Sequence, residues 1–232
     1  MLDPGPMPAF LDRTRLIGTY TILNTYRNCP EQMQRRYITK DLGPFVETKE
    51  MKWGNDVHKA FEQRIAGRKP LPVEMQQWES FAVPFDGRKV LVEQQLGITQ
   101  TGEPIDYWDK AKCWFRGKAD AVIMKHDTAF LTDWKTGSSK YEDDFELRTG
   151  AMLLKAAYPQ LKVVRGAYAW LKENRMGRVH DLSDFRETFR EVHGLMEQIG
   201  DDRRKGQWEK RKSGLCGWCN VTDCENHYEA RK

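Results

Sequence analysis

The chain lacks any apolar run approaching the roughly 18 residues that suggest a membrane helix, and it shows no internal repeat and no low-complexity tract. Residues 1–8 are Pro-rich and lack a basic stretch followed by an apolar one, so no signal peptide is expected and a cytoplasmic setting is. Cysteine is scarce, five in all, and three of the five crowd into positions 216–224. Cysteines so close together in an intracellular chain argue for a metal before a disulfide. There is little excess charge of one sign either: the net charge is only +4. The cations are nevertheless grouped, at Arg35-Arg36, from Lys110 to Lys118, and from Arg203 through Lys205 to Lys210-Arg211-Lys212. Such grouping suits a polyanionic partner, although charge runs are also common on solvated faces.

What is present fits one soluble domain spanning 1–232, with 39% hydrophobic and 31% charged residues. Its pattern runs from helices to strands and then alternates. Residues 20–39 read as a broken helix with Pro30 in a first turn, and residues 49–66 as a continuous one carrying Val57, Phe61 and Ile65 on a face. Residues 73–82 are a third candidate, and 69–72 a loose segment. From Lys89 the period becomes two, with Val90, Val92, Leu96 and Ile98 assigned to one side of a strand and Glu93 to the other. Two further strands follow, then a helix near 143–157 and a buried strand from Val163 to Leu171. A last helix from Ser183 carries the stripe Phe185, Phe189, Val192, Met196 and Ile199, a core-facing pattern. The expected architecture is α/β, a mixed sheet covered by helices.

The chemistry concentrates in two strand segments, Phe115-Arg116-Gly117-Lys118-Ala119-Asp120-Ala121-Val122 and Phe130-Leu131-Thr132-Asp133-Trp134-Lys135-Thr136-Gly137. Period-two alternation points Asp133 and Lys135 the same way. The polar tetrapeptide Lys125-His126-Asp127-Thr128 suits a hairpin loop, and closing it without a bulge sets Met124 against Ala129 and Asp120 against Asp133. Directly opposed carboxylates, with Cβ atoms roughly 5 Å apart, repel, and a hard divalent cation between them removes the conflict. Lys135 could then orient a water or stabilise an oxyanion. A solvated strand face carrying Asp and Lys is the plainer alternative. His58 lies beside Val57 at the edge of the second helix's apolar face, compatible with a ligand reaching the sheet and equally with a structural or surface histidine. Glu93 is either an extra carboxylate or an acceptor that supports the ligands, and otherwise a surface residue.

Taken in order, Cys29-Pro30, Gly54 to His58, Glu93, Gly117 to Asp120, Asp133-Trp134-Lys135-Thr136-Gly137 and the late cysteines resemble the RecB-like branch of the PD-(D/E)XK nuclease superfamily. That branch includes phage exonucleases and the CRISPR-associated and AddB-type members. The resemblance implies a restriction-endonuclease-like core, and Mg²⁺ or Mn²⁺ held by His58, Asp120, Asp133 and the Trp134 main-chain carbonyl. It makes Lys135 the catalytic lysine, acting with Asp120 and Asp133 on a phosphodiester. It implies an exonuclease working at DNA ends in recombination or repair, with a single-strand annealing protein as a partner and, for a phage-encoded chain, the host cytoplasm as location. A catalytically silent DNA-binding subunit that keeps the fold is the alternative. Many relatives carry Gln and Tyr four residues apart on the helix after the lysine; here Glu146 and Gly150 stand there, leaving Tyr141, Arg148, Arg116 and Lys118 as candidates for DNA contact.

Family precedent joins an early cysteine to three late ones around a 4Fe-4S cluster, here Cys29 with Cys216, Cys219 and Cys224, so that segment 206–232 closes onto the N-terminal helices. A structural zinc held by Cys216, Cys219, Cys224 and His227 is the rival arrangement. Cys113 stands apart and reads as structural.

Overall fold

The computed structural model describes residues 16–43 and 46–229; the Pro-rich start of the sequence lies outside them. A seven-stranded mixed sheet forms the centre, in the order β2-β1-β3-β4-β5-β6 with β7 also paired to β5. The strands are β1 Val90–Ile98, β2 Pro104–Ile105, β3 Phe115–Lys125, β4 Thr128–Lys135, β5 Val163–Trp170, β6 Arg175–Met176 and β7 His180–Asp181. β4 and β5 run parallel and all other pairs are antiparallel. A parallel pair needs a crossover, and helix α5, Phe145–Ala157, supplies it.

Helices cover both faces. On one lie α1, Tyr20–Asn28, α5 and α6, Phe185–Lys205, around Leu23, Phe115, Leu131, Leu147, Leu153 and Val192. On the other lies α3, Lys49–Ile65, with Val57 and Phe61 against Ala121, Trp134 and Ala169. Three capping side chains start these helices: Thr19 accepts from the Ile22 amide, Thr48 from Met51 and Asp184 from Glu187. The broken helix expected over 20–39 is α1, a stop at Cys29, then α2, Pro30–Met33, continuing as a π-helical turn over Gln34–Ile38. Proline at the first helical position loses no hydrogen bond there. The third candidate, 73–82, is a 3₁₀ segment, Val73–Trp78, followed by one α-turn, α4, Glu79–Ala82.

The hairpin has the expected register, Met124 opposite Ala129, but Lys125 and Thr128 belong to the strands and only His126-Asp127 turns, with His126 at φ +55°. The face assignment along β1 needs correction. Val90 packs on the α3 side, whereas Leu96 and Ile98 pack on the α5 side with Leu91. The alternation breaks at Glu93, whose φ of +47° is left-handed, so the chain crosses from one phase to the other. β3 breaks phase at the same level: Phe115 and Ala119 face the α5 side, and so do Val122 and Met124.

The chain's last part, with α7 at Glu225–Glu229, lies against the first helices. The Glu31 amide donates to the Glu209 carbonyl at 3.1 Å, Arg211 donates to the Arg27 carbonyl at 2.9 Å, and Arg35 pairs with Asp223.

Candidate active site

The site lies in a fork of the sheet. The β3–β4 ladder ends at Ala121 opposite Thr132. One level further would set Asp120 against Asp133, but there the strands part, and the Trp134 amide donates to Asp120 Oδ2 at 2.9 Å. Beyond the fork β3 takes a different neighbour: Gly18 bridges to Phe115, donating to the Trp114 carbonyl and accepting from the Arg116 amide, both at 2.9 Å. A Cβ at Gly18 would stand 2.8 Å from the Phe115 ring and 2.9 Å from Met196 Sδ, so any larger residue would have to displace these side chains. Trp134 anchors the fork from the α3 side. Its indole is 1% exposed and stacks on Phe61 at 4.3 Å.

His58 reaches the fork from α3. Because Val57 and Phe61 are buried, the neighbouring position 58 lies at the margin of the apolar stripe, next to the sheet. Gly54, one helical turn earlier, faces Thr136, whose hydroxyl would be in ordinary contact, 3.5 Å, with a Cβ there. His58 Nδ1 is 3.3 Å from Asp120 Oδ2 and 3.7 Å from Glu93 Oε1. His58, Glu93 and Asp120 each offer a ligand atom within 4.8 Å of the others. Glu93 thus joins the innermost group, and its carboxylate also meets Lys118 Nζ at 3.2 Å.

Asp133 occupies the other arm. Lys135 Nζ is 2.8 Å from Asp133 Oδ1 and 2.5 Å from Glu146 Oε2, and it lies 5.3 Å from the centre of the Tyr168 ring. The sequence marked Glu146 only as a departure from a family pattern. Here it holds the lysine, from the first turn of α5, where a carboxylate is favoured by the helix dipole. Gly150, one turn on, has a packing role, since a Cβ there would stand 3.1 Å from Leu131 Cδ2.

The fork concentrates charge of both signs. Glu93, Asp120, Asp133 and Glu146 bring four carboxylates against the ammonium groups of Lys118 and Lys135. With all four ionised and His58 neutral, two negative charges are left, which one divalent cation would balance; without the ion the fork offsets them by keeping His58 protonated and the Asp133 carboxyl raised. Burial disfavours the His58 imidazolium, but hydrogen bonds to Asp120 and Glu93 and the charges of Asp120 and Asp133 outweigh it and push its pKa up to about 10. Burial, opposed by Lys135 but reinforced by Glu146 and Asp120, holds the Asp133 carboxyl well above the usual range. Lys135 is held protonated above the ordinary lysine range: burial opposes this, and the charges of Asp133 and Glu146 prevail. Asp133 Oδ1 is buried, with the Lys135 ammonium 2.8 Å away but not aligned to donate to it, so a hard cation could share this oxygen with the lysine.

The remaining predicted residues divide. Lys118 lies beside the fork. Arg116 stacks on Tyr107, 4.6 Å from the ring centre, and donates to the Tyr107 carbonyl. Arg148 is drawn into the fold by Asp144 and Glu191, so it does not present a free guanidinium to DNA. The Tyr141 side chain lies outside the described residues. Cys29, Cys216, Cys219, Cys224 and His227 line one cavity of about 250 Å³, and the Cys219 thiol is pushed up by burial first and then by Cys29, Cys216 and Cys224. Cys113 is fully buried elsewhere.

Comparison with known proteins gives one family and solved structures of similar fold. The model of the PD-(D/E)XK nuclease superfamily matches residues 19–224. No curated protein sequence matches the chain. Among solved structures, SSO0001 is similar with a TM-score of 0.50 and 16% identity, over 89% of this chain and 84% of that one. A protein from Eubacterium rectale described as a "putative exonuclease" has a TM-score of 0.50 and 10% identity, over 98% of this chain and 94% of its own. Identities this low speak for the fold alone.

Proposed function

The chain belongs to the PD-(D/E)XK nuclease superfamily, and from that membership and the fork we propose that it is a divalent-metal-dependent DNA nuclease acting as an exonuclease in recombination or repair. The convergence of His58, Glu93 and Asp120 within 4.8 Å, facing Asp133 and Lys135, carries this reading. Mg²⁺ or Mn²⁺ would be held by these three side chains together with Asp133 and the Trp134 carbonyl. When bound, such an ion polarises a phosphate oxygen and makes a coordinated water more acidic.

The chain's own groups do the rest. Lys135, kept charged by Asp133 and Glu146, offers an ammonium to the negative charge that develops on the phosphate oxygens as a water attacks. Asp120, fixed by the Trp134 amide, keeps its carboxylate in one orientation. Tyr168 and the packed Trp134–Phe61 pair wall the fork with apolar surface, so these charges act in a medium of low polarity.

For the cysteine cavity the reading is a 4Fe-4S cluster on Cys29, Cys216, Cys219 and Cys224. The four cysteines line one cavity, and Cys29, Cys216 and Cys224 all act on the Cys219 thiol, which supports a shared ligand set; the choice of iron-sulfur over zinc on Cys216, Cys219, Cys224 and His227 follows family precedent. The cluster's part is to tie the chain's end to α1 and α2.

Incubating purified protein with linear and circular DNA, in Mg²⁺, Mn²⁺ or EDTA, tests the nuclease. Metal-dependent shortening of linear DNA with circular DNA spared is expected. No metal-dependent cleavage of either form would overturn the reading.

A further inference from the structure

The loop between β2 and β3 carries a feature that the nuclease centre does not use. Trp108, 60% exposed, lies at its tip. An exposed indole is ordinarily free to rotate, but this one is held: Tyr107 meets it edge-on at 4.9 Å, and Arg116 lies 5.5 Å from its ring centre while also stacking on Tyr107. The loop's own acids fix its shape. Asp106 Oδ1 accepts from the Trp108 amide at 2.7 Å, and Asp109 Oδ1 accepts from the Ala111 and Lys112 amides, both at 2.9 Å. The loop backbone presses on β1 at Gly97, where a Cβ would stand 3.4 Å from Tyr107 Cα.

Its place in the sheet gives the loop a direction. Arg116 and Lys118 alternate with the buried Phe115 and Ala119, so they rise from the open side of β3. Lys118 reaches Glu93, and Glu93 reaches His58 and Asp120. Trp108, Arg116, Lys118 and the carboxylates of the fork therefore form one row. From Arg116 to Asp120 it spans four strand residues, about 13 Å. The row offers an aromatic face, then two cations, then the candidate centre.

We infer that this row is a binding track for single-stranded DNA, with a base stacked on Trp108 and the following phosphates met by Arg116 and Lys118 on the way to the fork. A largely exposed indole with an adjacent guanidinium is the combination that holds unpaired bases without regard to sequence. A duplex keeps its bases stacked on one another and gains nothing from that face. The inference rests on the nuclease reading for the identity of the polyanion and adds which form of it the protein grips.

The test measures binding apart from cleavage. Fluorescence anisotropy with a labelled oligothymidine and with a blunt duplex, in EDTA, is compared for the native protein, Trp108→Ala and Trp108→Phe. Removal of one base-stacking side chain is expected to weaken single-strand binding about 5-fold to 150-fold, with Trp108→Phe close to native and duplex binding unchanged. An oligomer of abasic residues should bind native and Trp108→Ala protein alike. Equal single-strand affinity in native and Trp108→Ala protein would overturn the track, as would an equal loss for duplex, or a native protein that binds no single strand. Cleavage in Mg²⁺ is scored separately on the same preparations. Loss of the track with cleavage intact condemns only this inference; Trp108-dependent binding without any cleavage condemns only the nuclease.

Discussion

Metal binding at the fork should release a proton from His58. The imidazole Nδ1 sits 3.3 Å from Asp120 and 3.7 Å from Glu93, and those carboxylates lift its pKa to about 10 against burial. Only the neutral ring can be a ligand, so the ion must displace the proton. Well below pH 10 each ion bound releases one proton from this site, and the apparent Kd falls about tenfold for each unit rise in pH. A histidine with the ordinary value near 6.5 would be about 97% neutral at pH 8 and would release almost nothing. Isothermal titration of Mg²⁺ into DNA-free protein at pH 8, in two buffers of different ionisation enthalpy, counts the protons. The native protein should release about one more per ion than His58→Gln, and its log Kd should keep falling between pH 7 and 9. The linked stability has the opposite trend. A pKa raised on folding contributes fully below the unfolded value of 6.5 and is lost as pH rises through about 10, so metal-free protein should lose this part of its stability over that window. Equal proton release in native protein and His58→Gln at pH 8 would refute the combination of the two, a His58 that is charged in the metal-free protein and gives up its proton to become a ligand.

Lys135→Ala should keep the fold, judged by circular dichroism, and lower kcat by about 10²–10³, the range for removing one preorganised group that stabilises developing negative charge. Because Asp133 and Glu146 hold that ammonium protonated above the usual lysine range, the native rate should show no loss from Lys135 deprotonation up to pH 10. Cys219→Ala should empty the cysteine cavity. Elemental analysis of anaerobically purified protein should find iron and sulfide in the native chain and neither in the variant, with a lower Tm because the contacts joining Glu209 and Arg211 to the first helices loosen. Zinc in place of iron would reverse the choice of metal.

Much of the fold was legible because the core follows simple periods. The stripe from Phe185 to Ile199 forms α6, and the Lys135-to-Val163 interval is long enough for the α5 crossover that the parallel β4–β5 pair requires. The hairpin register followed from counting across a short loop, which fixes partner residues even where the turn is placed one residue off at each end. What counting missed was the fork. Strict alternation puts Asp120 face to face with Asp133, yet Asp120 accepts from the Trp134 amide and joins His58, while Asp133 turns to Lys135. No local pattern announces that two strands part. The cue in the sequence was negative: a like-charged pair at the end of a ladder is a poor cross-strand match. Glu146 was hidden for a related reason, since its partner Lys135 lies across a strand-to-helix connection and no spacing rule links them.

The break in β1 shows how the chain sustains this geometry. Glu93 adopts φ +47° in the middle of a strand, a region that costs a residue with a Cβ about 1–2 kcal/mol. That kink carries β1 from one packing phase to the other and brings the Glu93 carboxylate to His58. Glycine takes a left-handed conformation freely, yet in an ordinary strand it is less stable than alanine by roughly 0.5–1 kcal/mol. The two substitutions Glu93→Gly and Glu93→Ala remove the same carboxylate and differ only in backbone preference. In urea denaturation Glu93→Gly should therefore be the more stable of the two by about 1 kcal/mol, reversing the usual strand order, while both weaken Mg²⁺ binding to the same extent. If alanine proved the more stable, residue 93 would not be held in the left-handed region, and the crossing of phase that places this carboxylate at the fork would need another cause.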